Sequence, residues 1–184
     1  MALPKEGIPN GVILTGNEVG LALPENVLIS YAQQLKAKIK ESPLTMLPRS
    51  EKGLVISMQK GRSILCIDEN TNKLLSYAEI WDYKDQHPEW QTSKWQESLE
   101  VGSWVSFMEG YGFGRRVLLE APKLASSIDQ SRQLVAIVEG QNERARQIVT
   151  GAGGVLIGYA QSDRIKMQFD KKILMVIYEI PKLT

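Results

Sequence analysis

Cysteine and histidine are almost missing from this 184-residue chain, which has one of each. A single cysteine excludes an internal disulfide and a cysteine-based structural zinc site. A single histidine excludes a histidine-rich metal centre. Cys66 lies in the apolar run Ser63-Ile64-Leu65-Cys66-Ile67, where a buried, inert thiol is expected rather than a nucleophile. His87 falls in the loop-like stretch Asp85-Gln86-His87-Pro88. Long apolar runs are absent too. Nowhere do 18 apolar residues follow one another, so no membrane span is expected. The first residues, Met1-Ala2-Leu3-Pro4-Lys5-Glu6, lack the basic-then-apolar order of a secretory signal, and a cytoplasmic location is expected. Charge of one sign is also lacking. Lys and Arg number 22 against 21 Asp and Glu, a net charge of +1, so no overall field draws the chain to nucleic acid or to an anionic membrane.

What is present is the material of a globular α/β chain. Apolar residues make up 43% and charged residues 23%, with no internal repeat or low-complexity linker, so residues 1–184 are expected to form one domain. Val27, Leu28, Tyr31, Leu35 and Ile39 recur at three- and four-residue intervals and predict a helix from about Pro24 to Lys40. Pro43 and Pro48 punctuate its exit, and no long helix is expected directly after them. Arg62–Asp68 and Leu74–Tyr83 read as a β-hairpin joined across a polar turn. A loop with Trp90 and Trp95 then leads to a third strand over 96–106. Leu134–Val138, Val155–Tyr159 and Ile173–Ile180 read as later strands, with 164–169 a candidate extension. Asn142–Thr150 reads as a short helix. The first 23 residues admit either an edge strand around Val12–Leu14 or a loose terminal segment.

Between the third strand and the next helix the period changes. Trp104-Val105-Ser106-Phe107 leads into Gly110-Tyr111-Gly112-Phe113-Gly114, and helical spacing follows through Val117, Leu118, Ala121 and Leu124, with Pro122 expected to kink or shorten it. A strand that runs through glycines into a helix start suits an anion, because backbone can approach closely and the first-turn N–H groups are unpaired. Arg115 and Arg116 stand in that first turn and could add charge. No Gly-Lys-Ser/Thr follows, and the spacing is not that of a dinucleotide-binding unit. By itself the turn leaves phosphate binding and plain chain reversal both open.

The stretch from Glu100-Val101-Gly102-Ser103-Trp104-Val105 to Gly112-Phe113-Gly114-Arg115-Arg116-Val117-Leu118-Leu119-Glu120-Ala121 resembles the cofactor motif of the GNAT acetyltransferase superfamily. Leu134-Val135-Ala136-Ile137-Val138-Glu139 and Asn142-Glu143-Arg144-Ala145 resemble that family's next strand, asparagine and helix. The resemblance spans about residues 60 to 180. It implies an α/β (α+β) fold with a mixed, mostly antiparallel central sheet and helices on both faces. It implies acetyl-CoA as cofactor and a small-molecule or protein amine as acceptor, with a homodimer as a possible assembly. By position, the amides from Gly110 through Gly112 to Gly114, with Arg115, would hold the pyrophosphate. The strand edge at Val105–Phe107 would pair with the pantetheine arm, and Asn142 would sit near the sulfur. Asn142 also suits a helix N-cap. Glu109 stands where the family usually has Arg or Gln, and Val149 where it often has a tyrosine acid. These two departures equally suit a member that binds CoA or a partner protein without catalysing.

Acyl transfer to an amine calls for a base and for an acid at the thiolate. Glu97 and Glu100 are the candidate bases, expected on opposite faces of one strand. Tyr159 and Tyr111 are candidate acids. Trp90 and Trp95 would wall the acceptor side, with Trp81 read as core.

Overall fold

The computed structural model describes residues 9–41, 49–87, 94–161 and 173–182. Seven strands form one sheet in the order β1-β2-β3-β4-β5-β7-β6. They are β1 (Gly11–Thr15), β2 (Ser63–Asp68), β3 (Leu74–Asp82), β4 (Leu99–Ser106), β5 (Leu134–Glu139), β6 (Val155–Gln161) and β7 (Leu174–Ile180). Every neighbouring pair is antiparallel except β4 with β5, which run parallel. The helices are α1 (Asn17–Ala22), α2 (Glu25–Glu41), α3 (Glu51–Gln59), α4 (Tyr83–Gln86), α5 (Phe113–Ile128) and α6 (Glu143–Gly151).

Two cores lie on the two faces of the sheet. On one, α5 buries Phe113, Val117, Leu118, Ala121, Leu124 and Ala125 against Ile64, Ala78, Ile80, Leu99 and Val101. That stripe follows the helical repeat of the sequence, and Pro122 is accommodated inside the helix, where its C=O accepts from the Ser126 hydroxyl. On the other face, α1, α2 and α3 bury Val19, Leu28, Tyr31, Leu35, Leu54 and Met58 against Leu65, Ile67, Leu74, Tyr77 and Val105. The expected mixed, mostly antiparallel sheet with helices on both faces is therefore observed. Among the described residues no helix is long and apolar enough to cross a membrane.

Two sequence expectations need correction, and one open alternative is decided. The segment after the two prolines carries a full nine-residue helix, α3, because Ser50 accepts from the Gly53 N–H as an N-cap and Leu54, Ser57 and Met58 make one buried face. The N-terminal strand exists: Gly11–Thr15 pairs antiparallel with β2, from Gly11 opposite Asp68 to Thr15 opposite Ile64. The third strand begins at Leu99 rather than at 96, since residues 94–97 form a turn. The hairpin stands as read, its turn closed by the Asp68 side chain accepting from the Asn70 N–H. The suggested extension over 164–169 lies outside the described residues.

Cys66 is fully buried in the α5 core. Burial pushes its thiol pKa up against the pull of Arg116. In the folded protein it is expected to be inert to an aromatic disulfide reagent, with one equivalent released only in denaturant.

The end of β3 is tied to its surroundings through Asp82. This carboxylate accepts from Arg62 Nη1 at 2.9 Å and from Arg132 Nη1. Burial raises its pKa, but the Arg132 hydrogen bond and the charges of both arginines outweigh that and hold it below the ordinary 3.8. A lowered carboxylate pKa stabilises the fold above the unfolded value and loses that contribution as pH falls through the folded one. Asp82→Asn is therefore expected to lower the urea midpoint at pH 7. Its deficit against wild type should close as the pH falls below about 3 to 4.

Candidate functional site

The register of β4 changes at one point, and the site follows from it. Ser103 has a positive φ of 44°, and pairing with β3 shifts between Tyr77 and Glu79. A left-handed serine between extended neighbours is a bulge, which bends the strand and turns its remaining residues. Before the bulge, β4 pairs with β5 at Leu99–Leu134, Glu100–Val135 and Val101–Ala136. Beyond it no β4–β5 pairing continues, so the two parallel strands part like a wedge. Phe107 N–H donates to Leu75 C=O, and Val105 C=O accepts from the Ser76 hydroxyl. The backbone groups of Val105 and Phe107 thus face β3, and alternation turns those of Trp104 and Ser106 toward the wedge.

The wedge opens into a cleft of about 550 Å³. Its walls include Trp104, Val105, Ser106, Gly110, Gly112, Gly114, Arg115 and Asn142. Gly110 and Gly112 have φ of 86° and 78°, and a Cβ on either would meet nothing within 4 Å, so their backbone faces open space. Gly112 also caps α5 with no side chain over the first turn. Trp104 Nε1 donates to Gly114 C=O at 2.8 Å and fastens the turn to β4. A start of helix with unpaired N–H groups, reached through bare backbone, is an anion cradle.

Charge in the cleft agrees with that. Lys38, Arg115 and Arg144 face a single carboxylate, Glu109. Arg144, on α6, pairs with Glu109, so the one unfavourable charge beside the cradle is compensated from the opposite wall. Lys38 reaches in from α2, its pKa raised chiefly by a hydrogen bond to Glu41. Arg115 Nη2 donates to Gly151 C=O at 3.2 Å. Arg116, expected beside it, instead donates to Gly11 C=O of β1 and lies over the Phe113 ring. Asn142 is the N-cap of α6, its Oδ1 accepting from Ala145 N–H at 3.0 Å.

Other expected site residues are placed elsewhere. Phe107 is not among the cleft-lining residues; it packs toward the α2 side. Glu97 is on the turn before β4, exposed, with Lys84 3.7 Å away. It therefore does not alternate with Glu100 along a strand. Tyr159 is exposed on β6 at the sheet edge. Tyr111 is half exposed and stacks near Phe113. Val149 is fully buried in the α5–α6 core.

Both described tryptophans of this region, Trp81 and Trp95, pack against glycines. Trp95 packs on Gly158 of β6, where an added Cβ would lie 2.6 Å from its ring. Trp81 is buried, as read from sequence, and lies over Gly102, where an added Cβ would fall 2.0 Å from the ring. Its Nε1 is buried with no hydrogen-bond partner among the described residues. Trp90 lies outside the described residues. Around Trp81 is a buried polar group of which sequence reasoning singled out only Glu100. Arg49 stacks on the indole at 4.8 Å and pairs with the buried Glu79, and Glu100 meets His87.

No protein-family model matches the chain, and no curated protein sequence matches it. Solved structures do. The chain is similar to the yncA protein of Salmonella typhimurium, whose structure includes its cofactor acetyl-CoA, over 92% of each chain, with a TM-score of 0.65 and 13% identity. It is similar to an N-acetyltransferase from Staphylococcus aureus over 92% of this chain and 97% of that one, with a TM-score of 0.63 and 15% identity. A GNAT-family acetyltransferase from Streptococcus pneumoniae aligns over 94% of this chain and 100% of its own, with a TM-score of 0.63 and 16% identity. At such identities the likeness is one of fold, and the fold is that of the GNAT acetyltransferases.

Proposed function

We propose that the chain transfers an acetyl group from acetyl-CoA to an amine. The observation that carries this reading is the wedge between β4 and β5, which ends at the N-terminus of α5, where the capping residue Gly112 puts no side chain over the first turn. The residues fit the cofactor. The amides from Gly110 to Arg115 would hold its pyrophosphate, with Lys38, Arg115 and Arg144 adding positive charge. The edge groups of Trp104 and Ser106 would pair with the amides of the pantetheine arm. Asn142 would hold the start of α6 beside the sulfur end. When bound, acetyl-CoA supplies an activated acetyl thioester; the protein's share is to position it, exclude water and manage the acceptor's proton.

A second reading keeps the cofactor cleft and drops the chemistry. It is favoured by Val149, which offers no hydroxyl to the leaving thiolate and is fully buried. The two are separated by following CoA thiol release from acetyl-CoA with an aromatic disulfide, in the presence of lysine, spermidine and a peptide with a free N-terminus. The buried Cys66 adds no background. Release that depends on an amine is the expected result. Stabilisation by acetyl-CoA without release with any of these amines would instead support a binding module.

A further inference from the structure

Two walls of the cleft are tied together by one ion pair. Glu109 stands in the segment between β4 and α5, one residue before Gly110 of the anion cradle. Arg144 is the second residue of α6, the helix that follows β5. Their pairing therefore spans the cleft that opens beyond the last β4–β5 pair. Both side chains line that cleft and are more than half exposed, Glu109 at 67% and Arg144 at 57%. Among the described residues Arg144 is the only hydrogen-bond partner of the Glu109 carboxylate. Lys38, on the α2 side, is held chiefly by Glu41 at 2.8 Å and more weakly by the charge of Glu109.

An exposed pair of this kind contributes little to stability. It is also easily exchanged, because a phosphate offers a guanidinium the same two-oxygen contact with more charge. An anion in the cradle at Gly110 and the first turn of α5 lies beside Glu109, where two negative charges repel unless a cation stands between them. We infer that Glu109 is an internal competitor for the cofactor's phosphates. It holds Arg144 while the cleft is empty and gives it up when the phosphates enter. The inference rests on the acetyl-CoA reading and assigns to Glu109 the setting of cofactor affinity. Arg144 exchanges one anion for another. The carboxylate, left without its partner, then faces the phosphates and keeps the complex weaker than the cations alone would make it. Acetyl-CoA and CoA carry the same phosphates, so the weakening applies to both, and CoA leaves the more readily for it.

Calorimetric titration of CoA into wild type, Glu109→Gln, Arg144→Gln and the double variant tests the exchange. Glu109→Gln keeps the size of the side chain and removes its charge. It should tighten CoA binding about fivefold or more at low salt, and acetyl-CoA by the same factor within about twofold. Raising the salt to about 0.3 M should shrink the gain, because exposed charges are screened. Arg144→Gln should weaken CoA binding. The coupling between the two positions decides the matter. In the Arg144→Gln background no guanidinium is left to release, and only the repulsion by Glu109 remains. The gain from Glu109→Gln should therefore fall there to about half or less of its factor in wild type. Equal gains in the two backgrounds would leave only a general repulsion and overturn the exchange. A Glu109→Gln affinity equal to or weaker than wild type would overturn it too, making the carboxylate a bystander or a support for Arg144. Either outcome leaves the cofactor reading intact, since wild type binds. No binding of CoA by the wild-type protein would instead remove the parent reading, and this role of Glu109 with it.

Discussion

Gly112→Val is expected to abolish the stabilisation that acetyl-CoA gives while leaving a folded protein. At φ 78° a valine is strained, at a cost of about 1–2 kcal/mol for a left-handed L-residue. That is a fraction of a typical domain's stability. No packing clash adds to it, since the new Cβ would meet nothing within 4 Å. The open space is the cleft itself, in front of the first N–H groups of α5. A branched side chain there occupies the position a pyrophosphate needs in order to reach those amides. Loss of a phosphate cradle should weaken binding by about 100-fold or more, equivalent to about 2.7 kcal/mol. The check is a pair of melting curves with and without acetyl-CoA. Wild type should shift upward, and the variant should unfold cooperatively at a similar temperature in both. A folded variant with unchanged affinity would remove the glycine turn from the site.

The second large effect concerns stability. Arg49→Met should destabilise the protein by about 3–5 kcal/mol, the usual consequence of stripping one partner from a buried ion pair. Glu79 is 1% exposed, and its described partners are Arg49, with Nε 3.1 Å and Nη2 3.2 Å from its oxygens, and the Tyr77 hydroxyl at 3.1 Å. Tyr77 cannot compensate as an ion. Its own pKa is pushed well up by burial first and by Glu79 second. Removing the guanidinium also uncovers the Trp81 indole. The double variant Arg49→Met with Glu79→Gln should recover part of the loss, because a neutral amide in that place needs no counter-ion. Urea midpoints of wild type and the two variants measure this directly. A double variant no better than Arg49→Met alone would show that lost packing on Trp81, rather than an orphaned charge, dominates.

The part of this structure written in local pattern was legible, and the part made by distant contacts was not. Apolar periodicity placed α2, α5 and most strands. The glycine turn and Asn142 marked two walls of the cleft, although their role toward a cofactor rests on the proposal above. The bulge at Ser103 carries no sequence signal, since serine is not a residue that announces a positive φ. For that reason the sequence marks the strand edge only as Val105–Phe107, and which backbone groups face β3 becomes visible only with the bulge. Glu109 looked like an obstacle because its partner, Arg144, is 35 residues away on another element. His87 looked like a loop residue beside a proline. Only the fold of α4 onto β4 brings it to Glu100. Ser50 as an N-cap with Leu54 and Met58 one turn apart was a readable signal for α3, and the neighbouring prolines masked it.

The measurement that tests the central claim most directly is calorimetric titration of the purified protein with acetyl-CoA, with CoA and ATP as comparators. The wedge and the α5 cradle predict one site that takes acetyl-CoA and CoA, both of which carry the pantetheine arm, and prefers them to ATP, which lacks it. Equal binding of all three would reduce the cleft to a general phosphate site. No binding of acetyl-CoA or CoA would contradict the account, leaving a GNAT fold whose glycine turn only reverses the chain.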